Sequence, residues 1–305
     1  MKAMPPFSGY PNYLEPPVFR PPSEADSLIL QATLGCSHNA CTFCGSYRTK
    51  KFKVKPFSLF QKEVEHLARE YQIRPRRIFL ADGDAFVLSS SQLLDILNLL
   101  TQEFPSVERI SIYASGTNIQ RKSDEDLVQL REAGLEMIYI GLESGDDTVL
   151  QKVNKGISNQ DHIKVSRRLI QAGFILSPII ILGLGGKALS RQHANHTAET
   201  INAIDPPYLA ALTLMLVPGT ELHAQTERGE FDPLTPLEIL KELRELIKGL
   251  TKLTNCMFRT NHASNYLPLR GVLSRDREAF LQTIDTVLAD PNVESRLRPD
   301  YIRRL

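Results

Sequence analysis

Three of the chain's four cysteines lie within nine positions, in the stretch GCSHNACTFCGSY (35–47). Their spacing, C-x4-C-x2-C, puts Cys36, Cys41 and Cys44 on one loop, whereas Cys256 lies far away in the sequence. Thiolates are the usual ligands of iron–sulfur clusters, and three of them can hold three corners of a 4Fe-4S cube. The fourth iron is then open to an exogenous chelating ligand, so the spacing favours a reactive cluster.

Two other interpretations of the same loop stay open. His38 lies between the first two cysteines and could complete a Cys3His zinc site, although structural zinc ligands usually come as two separated pairs. A disulfide would leave one thiol of the loop unpaired. The non-enzymatic alternative is therefore a zinc-binding interaction protein that uses Cys36, His38, Cys41 and Cys44.

Composition excludes several classes of protein. Of the 305 residues, 42% are apolar and 23% are charged, the balance of an ordinary globular protein. A net charge of +1 gives no clear signal for nucleic acid or an anionic membrane. The N-terminus lacks the apolar core of a secretory signal, and the longest apolar run, GFILSPIIILGLGG, is too short to cross a bilayer. We therefore expect a cytoplasmic protein, because clustered cysteines in a reducing compartment more often bind metals than form disulfides.

The elements that must position the cysteine loop follow a β–α rhythm. Short apolar stretches predict strands at 28–35, 76–82, 109–115, 137–143, 175–183 and 209–217. Amphipathic stretches predict helices at 59–72, 91–104, 123–134, 158–173, 190–204 and 237–253. Such alternation is typical of a parallel sheet with helices outside it.

We predict that this sheet curves into a partial (β/α)6 barrel of the TIM type. Barrel chemistry sits at the C-terminal ends of the strands, where the cysteine loop, DGD, GLESG and GLGG all fall. Six units are too few to close a full barrel, which leaves a lateral opening for a substrate. The predicted domains are an extended N-terminal arm (1–27), the barrel (28–255) and a C-terminal helical and loop extension that caps the barrel (256–305).

The motif CSHNACTFC, with an aromatic residue just before its last cysteine, resembles the radical S-adenosylmethionine (SAM) superfamily. The usual spacing in that family is C-x3-C-x2-C, so this loop has one extra residue between Cys36 and Cys41. GLESG followed by DDTVLQKVNKG resembles the coproporphyrinogen dehydrogenase and methylthiotransferase branches of the superfamily. The resemblance covers about residues 28–225.

The resemblance implies a 4Fe-4S cluster on the three loop cysteines and SAM as the second cofactor. One electron from the cluster would cleave SAM reductively, and the resulting 5′-deoxyadenosyl radical would act on a substrate that the sequence does not identify. A flavodoxin-like or ferredoxin-like protein is the expected electron donor. The implied SAM contacts are Phe43, Gly83, Asp84, Ser115 and Glu143. No residue is assigned to catalysis itself.

Several of these residues also have a purely structural interpretation. Phe43 could pack the loop, Asp84 could be a turn residue, and Lys155 could be a solvated charge after a helix. Glu143 is different, because a carboxylate that ends an apolar strand is costly unless it has a partner. Cys256 is interpreted as an inert buried thiol.

The segment FRTNHASNYLPL (258–269) carries an unusual number of hydrogen-bonding side chains. They are Arg259, Asn261, His262, Asn265 and Tyr266. The segment either fastens the extension to the barrel or contributes to substrate recognition or proton donation at the open end.

Within the superfamily, two narrower functions can be compared with the sequence. A tRNA methylthiotransferase needs a second cysteine triad and a basic RNA-binding domain, and this sequence contains neither. A porphyrin-related oxidase or haem chaperone is closer by motif and is the alternative within the class.

Overall fold

A computed structural model describes residues 14–69 and 72–303 of the chain. Within them, eight strands form one sheet in the order β1-β4-β5-β6-β7-β8-β9-β10. Its strands are β1 (Leu28–Gln31), β4 (Arg77–Ala81), β5 (Arg109–Ala114), β6 (Leu135–Glu143), β7 (Ile175–Leu182), β8 (Tyr208–Thr213), β9 (Met257–Arg259) and β10 (Arg270–Val272). A separate small pair joins β2 (Thr33–Leu34) to β3 (Lys53–Val54).

Within the eight-stranded sheet, neighbouring strands from β1 to β9 run parallel, and only β10 is antiparallel to its neighbour. The long helices lie between strands in the chain. They are α1 (Phe57–Arg69), α2 (Ser90–Glu103), α4 (Asp124–Glu132), α6 (Asn159–Gln171), α7 (Gly186–Ile204), α9 (Pro236–Gly249) and α10 (Leu273–Ala289). Short helices were not predicted, because one or two turns show no periodicity: α3 (Gly116–Gln120), α5 (Asp147–Lys152), α8 (Glu221–Glu227) and α11 (Val293–Arg296). The prediction of a partial β/α barrel is confirmed.

Side chains alternate between the two faces of the sheet, as the pleat requires. Residues such as Ile78 and Leu80 join the large core that the strands share with the helices. Their neighbours Phe79 and Ala81 belong to a second cluster, with Tyr139 of β6, inside the curved sheet. Both faces are therefore buried, which explains why the strands appear as continuous apolar runs in the sequence.

The described part of the N-terminal arm, from residue 14 onward, lies against the inside of the sheet. Val18 packs on the inner cluster, and Phe19 meets the ring of Tyr47 edge-on at 5.5 Å. Glu24 is fully buried, where it accepts a hydrogen bond from the Tyr139 hydroxyl (2.6 Å) and pairs with Arg109 (2.8 Å). Residues 1–13 of the predicted arm lie outside the described residues.

The C-terminal extension begins inside the sheet. Strand β9 pairs with β8 in parallel, β10 then forms the sheet edge, and α10 packs against α9. Phe258 of β9 and Phe280 of α10 contact each other with ring centroids 6.0 Å apart. The domain boundary between residues 255 and 256 stays a prediction, but the segment after it adds strands to the sheet. Three-residue strands are too short to recognise from a sequence pattern.

Candidate functional site

The cysteine loop leaves the C-terminal end of the first strands, after β2. Cys36, Cys41 and Cys44 are free thiols and half-buried. Burial raises the pKa of the Cys36 thiol, with a smaller contribution from Asp84. Burial also raises the pKa of Cys41 to about 12, against the field of Lys155, which lowers it. Metal coordination lowers the pKa of a thiol instead, because a thiol that coordinates a metal ion is deprotonated.

Every residue in the four-residue gap between Cys36 and Cys41 has its own hydrogen bond. Ser37 donates to Asp84 (2.5 Å), and His38 Nε2 lies 2.7 Å from the Asn154 carbonyl. Asn39, in the left-handed region at φ 40°, donates to the Tyr47 carbonyl, and the Ala40 carbonyl accepts from Asn154. The extra residue is thus accommodated by contacts with three other parts of the chain.

The stretch DGD follows β4 and contacts the cysteine loop. Its first residue, Asp82, binds the residues where that loop begins. Asp82 is fully buried and accepts hydrogen bonds from the Gly35 amide (3.0 Å), Gln31 (3.0 Å) and Lys50 (2.9 Å). Sequence reasoning missed this residue. The only available signal was a second carboxylate two residues before Asp84.

Gly83 lies so close to the loop that no side chain fits there. A Cβ at this position would run into the Tyr47 ring and stand 3.2 Å from the Cβ of Cys36. Its amide donates to the Gly35 carbonyl (3.1 Å). A glycine is therefore required for the backbones of the two loops to meet.

Asp84 is also fully buried, and both of its oxygens are occupied. It accepts from Ser37, from the Ser115 amide (2.9 Å) and from the Asn118 side chain (2.6 Å). Ser115 in turn caps α3 by accepting from the Asn118 amide (3.3 Å). The carboxylate thus connects the loops that follow β2, β4 and β5, and its assignment as a SAM contact stays a prediction.

Glu143 ends β6 and forms an ion pair with Lys155 at 2.9 Å. Only 11% and 12% of these side chains are exposed, so the interpretation of Lys155 as a solvated charge is wrong. Burial lowers the pKa of Lys155, but Glu143 and Cys41 outweigh that effect and raise it. The sequence around Lys155 does not indicate that this lysine is buried near the cysteine thiols.

Phe43 joins a small apolar cluster at the same end of the barrel. The other members come from α5 and its C-terminal end, from β7 and α7, and from the residues that follow β7 and β8: Val149, Val153, Ile181, Leu184, Leu189 and Leu214. This packing is what the structural interpretation of Phe43 expects. It also gives an apolar surface one residue from Cys44, so the role of Phe43 beside the adenine stays a prediction.

The donor set fits a cluster better than a single metal ion. Among residues 14–69 and 72–303, no three His, Cys, Asp or Glu side chains are placed to hold one ion. His38, the proposed fourth zinc ligand, has Nε2 on the Asn154 carbonyl instead. A cluster makes a different demand, since each thiolate binds its own iron at a separate corner.

A cavity of about 80 Å³, partly open to solvent, lies inside the curved sheet. Its walls come from the arm near Arg20, from aromatic residues such as Tyr113 and Tyr139, and from Arg259 and Asn261. The aromatic rings are packed edge to face, with Phe79 and Tyr113 centred 5.0 Å apart. Ligand sites are typically concave, mostly apolar spaces with a few polar groups, and the lining of this cavity has that character.

In the structure, some residues of the polar segment 258–269 fasten the extension and others line the cavity. Asn265 bonds to β8 through the Thr213 hydroxyl (2.9 Å) and the Ala211 carbonyl (2.8 Å), so it fastens the extension to the barrel. Tyr266 donates to Asp300 (2.9 Å), a bond within the extension itself. Arg259, Asn261 and His262 line the cavity instead. Cys256 is fully buried, as expected for an inert thiol.

Comparison with known proteins agrees with this arrangement. Residues 30–201, more than half of the chain, match the radical SAM superfamily. The heme chaperone HemW of Bacillus subtilis (strain 168) is 24% identical over 217 residues, which cover 70% of this chain and 56% of HemW. No helix of the described residues is long and apolar enough to span a membrane.

Two solved structures share the fold. Coproporphyrinogen III oxidase (HemN) from Escherichia coli superposes with a TM-score of 0.57 at 20% identity, over 73% of this chain and 52% of the oxidase. Methylornithine synthase (PylB) has a TM-score of 0.53 at 16% identity, over 89% of this chain and 85% of the synthase. The chain therefore spans just over half of HemW and HemN. It belongs to the radical SAM superfamily, whose members are enzymes that use a 4Fe-4S cluster and S-adenosyl-L-methionine.

Proposed function

We propose that this protein reductively cleaves SAM at a 4Fe-4S cluster and uses the product radical on a substrate bound inside the barrel. The observation that supports this most strongly is the cysteine loop. Three free thiols share one loop at the C-terminal end of a parallel β/α sheet, and buried side chains fix that loop in place.

In this proposal Cys36, Cys41 and Cys44 hold the cluster. When bound, the cluster supplies one electron to the sulfonium of SAM, whose C–S bond breaks to give methionine and a 5′-deoxyadenosyl radical that takes hydrogen from the substrate. Asp82 and Asp84 keep the loop in shape, because their hydrogen bonds set where it starts and how it crosses β4 and β5.

We assign the SAM-binding surface to the strand ends around the loop. Glu143 would face the ribose or amino group, and its partner Lys155 offers a charge complementary to the SAM carboxylate. Phe43 would contribute the apolar surface beside the adenine. Gly83 and Ser115 would contribute backbone groups at the ends of β4 and β5.

The electron comes, in this proposal, from a flavodoxin-like or ferredoxin-like donor. Free thiols on a half-buried loop require a reducing compartment, and the cytoplasm is the one that we propose.

Anaerobic reconstitution with iron and sulfide tests the proposal. We expect a brown protein that forms 5′-deoxyadenosine from SAM when dithionite is added, and we expect Cys44→Ala to lose both properties. Cys256→Ala is the matched control, since this thiol is fully buried away from the loop, and it should keep the cluster. Stoichiometric zinc binding without SAM cleavage would instead support the zinc-binding alternative.

The similarity to HemW and the shared fold of HemN favour one second candidate, a porphyrin-related oxidase or haem chaperone. Titration of the reconstituted protein with hemin separates it from the general proposal. Stoichiometric binding with a defined Soret band would support this candidate, whereas its absence would leave only the general radical SAM activity.

A further inference from the structure

The charges that line the barrel cavity are all of one sign. The lining includes Arg20 and Arg259, and among the described residues it contains no Asp or Glu. The other polar groups on the wall are neutral, such as the hydroxyls of Ser177 and Tyr208 and the amide of Asn261. A cavity with this charge pattern is electrostatically complementary to an anion.

Among the described residues, the Arg259 side chain has no hydrogen-bond or ion-pair partner. Its Nε is buried without a hydrogen bond, and within the described part of the chain its guanidinium forms no ion pair. Arg109, which is also partly buried, is paired with Glu24. Leaving a partly desolvated cation unpaired is unfavourable, so the fold gains little from the Arg259 guanidinium in the free protein.

A second arginine strengthens this point. Arg270 of β10 lies directly opposite Arg259 of β9 in the antiparallel pair. Residues that face each other in this way project from the same side of the sheet, and like charges there are destabilising. Both guanidinium groups therefore lie on one side of the sheet edge, where Arg259 lines the cavity and Arg270 is exposed.

We infer that the substrate is an organic acid with an apolar or aromatic body, and that Arg259 binds its carboxylate. An arginine offers the planar, forked set of donors that a carboxylate accepts in pairs. The walls from Tyr113, Tyr139 and Tyr208 suit the apolar body. This inference rests on the proposed function, since it names the substrate class of the same barrel.

The test uses the reconstituted holoenzyme without reductant. The probes are 3-phenylpropionate and its neutral amide, 3-phenylpropanamide, with affinities measured by isothermal titration. We expect the acid to bind at least about tenfold more tightly than the amide, because hydrogen bonds to charged groups are the stronger ones. We also expect Arg259→Gln to remove this preference and Arg191→Gln, at an exposed position on α7, to keep it.

SAM binding to the same variants distinguishes the substrate from the cofactor. Arg259→Gln should leave SAM affinity and substrate-independent SAM cleavage within about twofold of wild type, which is well under 1 kcal/mol. A large loss of SAM affinity would assign Arg259 to the cofactor and overturn the inference. Equal binding of acid and amide to wild type, or no binding of the acid at millimolar concentration, would overturn it without any variant.

The two proposals can fail separately. Acid binding is measured without reductant, so a protein that does not cleave SAM still reports whether the cavity selects carboxylates. Conversely, SAM cleavage without substrate stays measurable if the cavity shows no preference for acids.

Discussion

Two sides of the barrel interior differ in how their polar groups are paired, although Ser111 Oγ and Asp82 Oδ1 on the first side are buried without a partner among the described residues. On the saturated side, formed by β1, β4, β5 and β6 with the arm, every buried carboxylate has a donor or cation: Glu24, Asp82, Asp84 and Glu143. On the open side, formed by β7, β8 and β9, the side chains of Ser177, Tyr208 and Arg259 have no hydrogen-bond partner in the described residues. The contrast separates groups that position the cluster loop from groups that are available to a ligand.

The largest effect on stability should come from Glu24 on the saturated side. Glu24→Ala leaves Arg109 without its ion-pair partner and removes one of the two hydrogen bonds of the Tyr139 hydroxyl, and losing one member of a buried pair costs about 3–5 kcal/mol. Urea unfolding of the reconstituted protein measures this loss in the free energy of unfolding. Asp26→Ala, at an exposed position two residues along the arm, is the control, and equal losses at both positions would contradict the assignment.

Asp84 should follow, with a loss of about 2–3 kcal/mol in Asp84→Ala. The substitution removes the acceptor of the Ser115 N–H and one of the two acceptors of the Asn118 side-chain amide, and each unmade hydrogen bond costs about 1–3 kcal/mol. Because Ser37 loses its anchor too, the variant should also retain less iron after gel filtration. Normal iron content in a folded Asp84→Ala protein would show that the loop does not depend on this carboxylate.

Outside this contrast, His162 of α6 is fully buried, and neither of its ring nitrogens has a partner among the described residues. Burial, with the nearby Lys155, lowers its pKa to about 3, whereas an unfolded histidine titrates near 6.5. Between those values the unfolded chain binds more protons, so stability falls as pH falls, by up to about 1.4 kcal/mol per pH unit.

Urea unfolding at pH 6.5 and 5.5 checks this dependence. His162→Leu should remove that part of the pH slope, and comparing its slope with the wild-type slope cancels other titrating groups. Identical slopes would mean that the folded protein protonates His162 as readily as the unfolded chain does.

The smallest effect should come from the open side. Ser177→Ala removes a hydroxyl that bonds to nothing in the described residues, so the free energy of unfolding should change by less than about 0.5 kcal/mol. Ser37→Ala is the matched change on the saturated side and should cost more, since this hydroxyl bonds to Asp84. A large loss in Ser177→Ala would break the contrast between the two sides.

The fold could be predicted because both faces of each strand are buried and the helices are long enough to show their period. The cysteine loop was found because three thiols at close spacing have few uses. Asp82 and Lys155 were not found as site residues, since what distinguishes them is burial and a partner at a distance in sequence. The sequence also could not show which side chains of segment 258–269 face the cavity and which fasten the extension, because the register of β9 and β8 decides this.

The hydrogen bonds of the cysteine loop also have a consequence for the order of events during synthesis. Ser37 bonds to a residue that lies 47 positions later in the chain, and His38 bonds to one that lies 116 positions later. Contacts this distant in sequence form late, after the intervening strands and helices have emerged and packed. The loop therefore cannot reach its final shape until about half of the chain has left the ribosome, and we expect cluster insertion to follow the folding of β6 and α5.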